Sequence, residues 1–152
     1  MNDTSKSAES GGLVRLSPGQ EIGPLAMEVF QVLRRVADAV QRHDADALLA
    51  EFALDDPRFN VFEALTPYRM DAVDIKGTAD VLTALRNPDM RFEDVRLDCA
   101  DKVAVVTGYQ VLSAGAEEKR RRYSSRFSIV LVPLPTEWKI LHAHFSSVPG
   151  TK

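Results

Sequence analysis

The chain contains few cysteine, histidine and tryptophan residues, which are often informative about disulfides, metal sites and catalysis. Cys99 is its only cysteine, so no disulfide can form within it, which fits a reducing compartment. It has three histidines and one tryptophan, and no His–Cys cluster of the kind that holds zinc. No run of about 18 apolar residues occurs, so we expect no segment to cross a bilayer. These shortages exclude a disulfide scaffold and argue against a zinc domain or a membrane span.

The chain also has little excess of either acidic or basic residues. The formal net charge is -3, so no global basic field exists to hold nucleic acid or an anionic membrane. The basic run Lys119–Arg122 directly follows Glu117 and Glu118, which favours a solvated strand start over a nucleic-acid patch. The polar N-terminal residues lack a signal-peptide pattern. We therefore expect a cytoplasmic protein that binds neither nucleic acid nor membrane.

A length of 152 residues predicts one domain. Residues 1–20 are rich in serine and glycine, which predicts a flexible N-terminal tail. Residues 21–150 are expected to form the single domain.

Helical spacing dominates the first part of that domain. Apolar residues recur with a helical period from Leu25 to Val40, after a proline that suits a first helical turn. Asp44 is predicted to cap a short second helix, Ala45–Phe52. A third helix is expected to begin around residues 77–80, with Thr78 as its cap.

Extended segments dominate the rest. Phe59–Glu63 is predicted to be a strand, and four strands near residues 91–98, 102–113, 119–132 and 137–147 form a meander. Helices followed by a largely antiparallel sheet predict an α+β domain with helices on one sheet face.

Four segments carry a family resemblance: His43–Leu48, Ile75–Asp80, Asp101–Gly108 and Trp138–Ser146. In this order they resemble the SnoaL-like branch of the nuclear transport factor 2 superfamily, which also includes ketosteroid isomerases, polyketide cyclases and the association domain of calmodulin-dependent kinase. The resemblance implies a cystatin-like cone, in which a curved antiparallel or mixed sheet wraps around three N-terminal helices. It also implies an internal apolar pocket and a homodimer formed through the outer sheet face.

The resemblance also implies which side chains face the pocket. Tyr109 is expected to be its main polar group, in a site for a small, mostly apolar organic molecule. The alternative is that its hydroxyl groups only satisfy each other or water. Alternation along the strands supports these groupings as faces, although a slip of one residue would invert them. The predicted pocket residues are Tyr109, Tyr123, Ser125, Thr107, Phe127, Leu141 and Phe145.

The same register turns Trp138, His142, His144 and Arg126 outward. We interpret them as a dimer interface, because obligate interfaces favour aromatic and amphipathic side chains. The alternatives are a metal site or a general base. No metal and no other cofactor is predicted, because zinc needs three or four protein ligands and this pair lacks a third.

Glu63 is the candidate catalytic base, since it falls near the strand position of the aspartate base in ketosteroid isomerases. A carboxylate in an apolar pocket can become a useful base near neutral pH. The alternative is a structurally paired glutamate at a strand end. The resemblance places Val36 and Ser125 where the isomerase has its two oxyanion donors, which argues against steroid isomerisation.

Three functions remain open from the sequence. The first is a SnoaL-like homodimer that binds a small organic molecule without identified chemistry. The second is an isomerase-, cyclase- or dehydratase-type enzyme that uses Glu63 as its base. The third is an oligomerisation module.

Overall fold

A computed structural model describes residues 12–150. These residues form three helices and a six-stranded mixed, curved sheet. The predicted α+β class and cone-like architecture are confirmed. Most of the expected N-terminal tail, residues 1–11, lies outside the described residues.

The first helix, α1 (Pro24–Gln41), supplies the helical side of the core. Its first turn contains a proline, and its buried residues include Val29, Leu33 and Val40. The second helix, α2 (Ala45–Leu49), is capped by Asp44 as expected, because its carboxylate accepts a hydrogen bond from the Ala47 amide at 3.0 Å. α2 is shorter than predicted and ends before Phe52.

The third helix, α3 (Ala72–Thr83), begins earlier than its sequence pattern predicts. Asp71 caps it, and Asp71 and Asp74 satisfy each other's backbone amides in a reciprocal capping box. Two aspartates three residues apart replace the Ser/Thr–Glu pair usual in such boxes. Thr78 is therefore inside the helix, where its hydroxyl donates to the Asp74 carbonyl.

Six strands follow the order β1-β3-β4-β5-β6-β2. The two edge strands pair in parallel with their neighbours, and the four central strands pair antiparallel. The strands are β1 (Val14–Leu16), β2 (Asn60–Phe62), β3 (Asp89–Cys99), β4 (Ala104–Ala114), β5 (Arg121–Pro133) and β6 (Trp138–Ser147). The four central strands confirm the predicted meander.

The core lies between α1 and one face of this sheet, here called the inner face. Phe92 and Val95 on β3 and Leu131 on β5 are almost completely buried there with Leu33 of α1. Burying a side chain of this size stabilises the fold by about 1.5–3 kcal/mol. In the part of the chain that the structure describes, no helix covers the opposite, outer face.

Residues 14–20 correct the prediction of a flexible tail. Val14 is buried in the core, and β1 pairs with β3. Beyond β1, the Gln20 side-chain amide accepts from the Leu97 amide at 2.8 Å and donates to the Leu97 carbonyl at 3.3 Å. The Gln20 side chain thus pairs with the Leu97 backbone as a neighbouring strand would. Without it, these backbone groups at the sheet edge would be unpaired.

The other sheet edge is built from two separate segments. Ala53 donates its amide to the Ile140 carbonyl, and Ile140 donates to the Glu51 carbonyl, both at 2.8 Å. Farther along β6, Asn60, Val61 and Phe62 of β2 pair with residues 142–144. No helix among residues 12–150 is long and apolar enough to span a membrane.

Candidate functional site

The faces of the central strands decide which predicted pocket residues can meet. On β5, Phe127 and Ile129 are buried against the helices. Side chains alternate along a strand, so Tyr123 and Ser125 lie on the same inner face. The sequence-based register of this strand agrees with the structure.

Strand β4 has the opposite register from the one expected. Ala104 and Val106 are fully buried, whereas Val105 and Tyr109 are 37% and 41% exposed. Thr107 and Tyr109 therefore lie on the outer face, and their assignment to an inner pocket is wrong. The small Ala104 and Val106 side chains face the core opposite the larger Leu131 and Ile129.

A bulge in β3 explains why the centre of β4 has a glycine, Gly108, in place of a residue with a side chain. Asp94 has a positive φ of 52°, and the β3–β4 register shifts between Glu93 and Arg96. A Cβ atom at Gly108 would lie 2.9 Å from the Glu93 carbonyl oxygen and 3.1 Å from that of Asp94. The bulged backbone thus requires glycine at this position.

Strand β6 also contains a bulge. Leu131 pairs with Ile140, but its neighbour Val130 pairs with His142, so Leu141 is an extra residue. Because of it, Trp138 and Ile140 face the core, whereas His142 and His144 face outward. Leu141 is half-buried and packs against the core from the bulge.

Trp138 is therefore not a dimer-interface residue. It is 6% exposed, and its indole Nε1 donates to the Glu28 carboxylate of α1 at 3.1 Å. His142, His144 and Arg126 do lie on the outer face, as expected. Tyr109 is directly opposite Arg126 across the β4–β5 ladder.

His142 has a defined tautomer. Its Nδ1 lies 3.1 Å from the Asn60 carbonyl oxygen and 3.0 Å from the Asn60 side-chain oxygen. Both oxygens are acceptors, so Nδ1 carries the proton. His142 thereby ties β6 to β2, while the exposed ring of His144 rests against Phe62 with centroids 5.5 Å apart.

Aromatic side chains fill the inner face near the centre of the sheet. Phe92 meets Phe127 edge-on with ring centroids 5.4 Å apart, and Phe127 contacts Phe145 at 6.1 Å. Phe127 is 4% exposed. This predicted pocket residue is thus a core residue, and Phe145 is the half-buried end of the series.

Two concavities stand out in the described part of the chain, and both open at the surface. The first, which we call the β2–β6 groove, has a volume of about 330 Å³. It lies where the ends of β2 and β6 meet the turn that follows β2. Its lining residues are Phe62, Glu63, Ala64, Thr66, Pro67, His144, Phe145, Ser146 and Ser147.

The second concavity, the outer groove, has a volume of about 470 Å³ and lies on the outer sheet face. Tyr109 lines it together with Val111, Ser124 and residues of β1 and the β3 bulge. Tyr109 and Tyr123, predicted to share one pocket, therefore lie on opposite faces of the sheet.

Glu63 is half-exposed and lines the β2–β6 groove. Its Oε1 accepts hydrogen bonds from the Leu65 amide at 2.7 Å and from the Thr66 hydroxyl at 2.6 Å. The carboxylate thus closes the turn after β2. This arrangement matches the structural alternative, although Oε2 has no hydrogen-bond partner among residues 12–150.

Within residues 12–150, the two positions assigned to oxyanion donors do not supply a pair of donors. Val36 is a core residue, 7% exposed, and Ser125 offers one hydroxyl. Cys99 is a poor nucleophile, because burial and the nearby Asp98 charge raise the pKa of its thiol. Within the described residues, no three or more His, Cys, Asp or Glu side chains are grouped to hold a metal ion.

The sequence pattern missed much of the groove lining. Phe62, Thr66 and Pro67 line it with Ser146 and Ser147. Their proximity depends on parallel pairing of β2 with β6, two strands far apart in the chain. The proline at position 67 marks a turn in the sequence, but the sequence does not show which strand lies beside that turn.

Solved structures with the same architecture come from several bacteria. A protein provisionally named a calcium/calmodulin-dependent kinase II association domain, from Xanthomonas campestris, has a TM-score of 0.72 at 15% identity, over 89% of this chain and 94% of its own. One provisionally named a dehydratase of the nuclear transport factor 2-like family, from Streptomyces avermitilis, has a TM-score of 0.72 at 15% identity, over 82% of this chain and 96% of its own.

A cystatin-like-fold protein of the same superfamily, from Novosphingobium aromaticivorans, has a TM-score of 0.70 at 14% identity, over 99% of this chain and 94% of its own. Such distant likenesses establish the fold alone. Curated protein sequences give no match. The sequence profile of the SnoaL-like domain, however, matches residues 29–150. This chain is a member of the SnoaL-like domain family, and its fold is that of nuclear transport factor 2-like proteins.

Proposed function

We propose that this protein is a homodimeric domain that binds a small, mostly apolar organic molecule in the β2–β6 groove. The observation that carries the proposal is the composition of this groove. Phe62, Pro67 and Phe145 supply apolar walls, and a few polar groups lie among them. Its volume of about 330 Å³ falls within the usual range of ligand sites.

The hydrogen bonds of Glu63, the candidate base, favour binding over catalysis. Glu63 commits one carboxylate oxygen to the turn after β2. Acid–base chemistry also needs a group that stabilises the charge developing on the substrate. Val36, at the corresponding helix position, is buried in the core and donates nothing.

One specific observation favours the enzyme as a second candidate. Glu63 and His144 line the same groove, and a carboxylate beside an imidazole can move protons. Two solved structures of this fold are provisionally named dehydratases. Under this alternative the Oε2 atom of Glu63 is the base.

The homodimer is proposed on the outer face of β4–β6. Val103, Val105 and Tyr109 are each 37–41% exposed there, beside the outward-facing Arg126 and His144. An apolar strip with aromatic and arginine side chains resembles the composition of protein interfaces. A second copy of the chain would cover this strip.

Binding is tested by NMR titration of the ¹⁵N-labelled protein with anisole, a neutral aromatic probe. We expect shifts in the amides of residues 62–66 and 144–147. Ser147→Trp should fill the groove and abolish them, while Asp101→Trp, in an exposed turn, should leave them unchanged. Shifts elsewhere only, or none, would refute the proposed site.

Catalysis and assembly are tested separately. Acetophenone in D₂O reports proton abstraction, because its methyl protons exchange when a base removes them. We expect no exchange faster than in buffer alone. Faster exchange that Glu63→Gln abolishes would establish the enzyme.

Light scattering should give the mass of a dimer, and a larger ring would favour an oligomerisation module.

A further inference from the structure

We infer that the β2–β6 groove selects ligands that donate a hydrogen bond, such as phenols and benzylic amines, and disfavours carboxylates. This inference rests on the proposed binding function and specifies its ligand class. The polar side chains of the groove whose hydrogen-bonding roles are fixed, Glu63 and Thr66, are both acceptors.

Glu63 supplies the first fixed acceptor. The Leu65 amide and the Thr66 hydroxyl both donate to Oε1, which holds the carboxylate in one orientation. Oε2 has no partner within residues 12–150. An ionised carboxylate can only accept, so this second oxygen is available to an N–H or O–H group of a ligand.

Thr66 supplies the second fixed acceptor. Its hydroxyl proton is directed to Glu63 Oε1 over a donor–acceptor distance of 2.6 Å. A hydroxyl that has committed its only proton offers only lone pairs to other groups. Thr66 therefore presents an acceptor on the same side of the groove as Glu63.

The charge of the groove points in the same direction. Glu63 is the only acidic residue that lines it, and no lysine or arginine lines it. The guanidinium of Arg69 lies outside the lining, 5.0 Å from the centroid of the Phe62 ring. His144, Ser146 and Ser147 can donate or accept and so adapt to either type of ligand.

The apolar walls limit the rest of the ligand. Phe62 and Phe145 are aromatic, and Pro67 closes the turn side. Offset or edge-on contacts with such rings favour an aromatic ligand. A single ring with one donor group satisfies both the walls and the acceptors.

Four probes test this inference on the intact protein: anisole, phenol, benzylamine and benzoate, titrated by NMR. Anisole and phenol have similar shapes, but only phenol donates. Hydrogen bonds to a charged acceptor strengthen binding substantially, so we expect benzylamine to bind about tenfold more tightly than anisole. Phenol should fall between them, and benzoate should bind more weakly than anisole.

Glu63→Gln removes the charge and keeps the side-chain size. It should eliminate the preference for benzylamine over anisole, measured as the ratio of their affinities, whereas Glu118→Gln, on an exposed turn, should leave that ratio and anisole binding unchanged. The ranking of the four probes on the unmodified protein stands as a test even if the variant does not fold.

Equal binding of all four probes in the groove would overturn the inference and leave the binding function intact. Benzoate binding more tightly than anisole and weakened by Arg69→Gln would also overturn it, because Arg69 would then serve the groove. If no probe shifts the groove amides, the proposed function fails together with the inference.

Discussion

The two halves of β6 behave as two different strands. Before Leu141, Trp138 and Ile140 face the core, and Ile140 exchanges backbone hydrogen bonds with residues 51 and 53. After Leu141, His142 and His144 face outward and pair with β2. The extra residue Leu141 separates a first half that packs in the core from a second half that borders the candidate groove.

This difference shows how a bulge separates roles along one strand. In a regular strand, residues 138, 140, 142 and 144 would share a face. The bulge allows the tryptophan to anchor α1 while the histidines remain available at the surface.

Trp138→Ala should strongly destabilise the fold. The change removes a buried indole and its hydrogen bond to Glu28, and substitutions of this kind cost about 3–5 kcal/mol. The matched change in the second half, His144→Ala, should alter the free energy of unfolding by no more than about 0.5 kcal/mol. Urea denaturation measures both, and similar losses would contradict the division of β6.

His144→Asp should weaken the proposed homodimer without unfolding the subunit. His144 is exposed on the outer face, and an added carboxylate there would be desolvated on association. We expect dimer dissociation to increase about 30-fold, which corresponds to roughly 2 kcal/mol. Light scattering across a dilution series measures it. A dimer unaffected by this change would place the interface elsewhere.

Arg35→Ala should destabilise the side of the molecule next to the first half of β6. Arg35 donates two hydrogen bonds to Glu51, at 2.9 and 3.1 Å, and the Glu51 side chain is only 11% exposed. Arg35 is 51% exposed, so we discount the cost to about 1–2 kcal/mol. Arg86→Ala, on the surface, is the control. An equal loss in both variants would show that the ion pair contributes nothing.

Asp56→Asn should make stability less dependent on pH in acid. Asp56 lies between the segments that pair with the two halves of β6, and its hydrogen bonds with Arg58 lower the pKa of its carboxyl from 3.8 to about 2. Its contribution is therefore fully present above about pH 4 and is lost as pH falls toward 2. Denaturation at pH 5, 4, 3 and 2 should give a flatter profile for the variant than for Asp101→Asn.

Much of the fold could be predicted because its signals are local. The apolar residues of α1 repeat with a helical period, and Asp44 caps α2 through its own next turn. The start of α3 was missed because two aspartates form its capping box in place of the usual residue types. β1 was missed because three residues form a strand only when β3 is beside them.

The site was less predictable. The sheet face was predicted wrongly for Trp138 and for Thr107 and Tyr109, because bulges and strand register decide which face a side chain occupies. Nothing local at Leu141 reveals an extra residue, and Thr107 and Tyr109 alternate as plausibly inward as outward. The nearness of Glu63 to Ser147 depends on the pairing of distant strands. Sequence alternation identified the groups of residues that share a face on β5, but tertiary packing chose which face was buried elsewhere.

The pairing of β2 with β6 also orders events during synthesis. His142 and its partner Asn60 are 82 residues apart, so β2 leaves the ribosome long before the strand that pairs with it. At about 5–20 residues per second, this interval lasts several seconds. During that time the backbone of β2 and the side chain of Phe62 lack their β6 neighbours, which leaves the nascent chain open to aggregation at the site that later forms the groove.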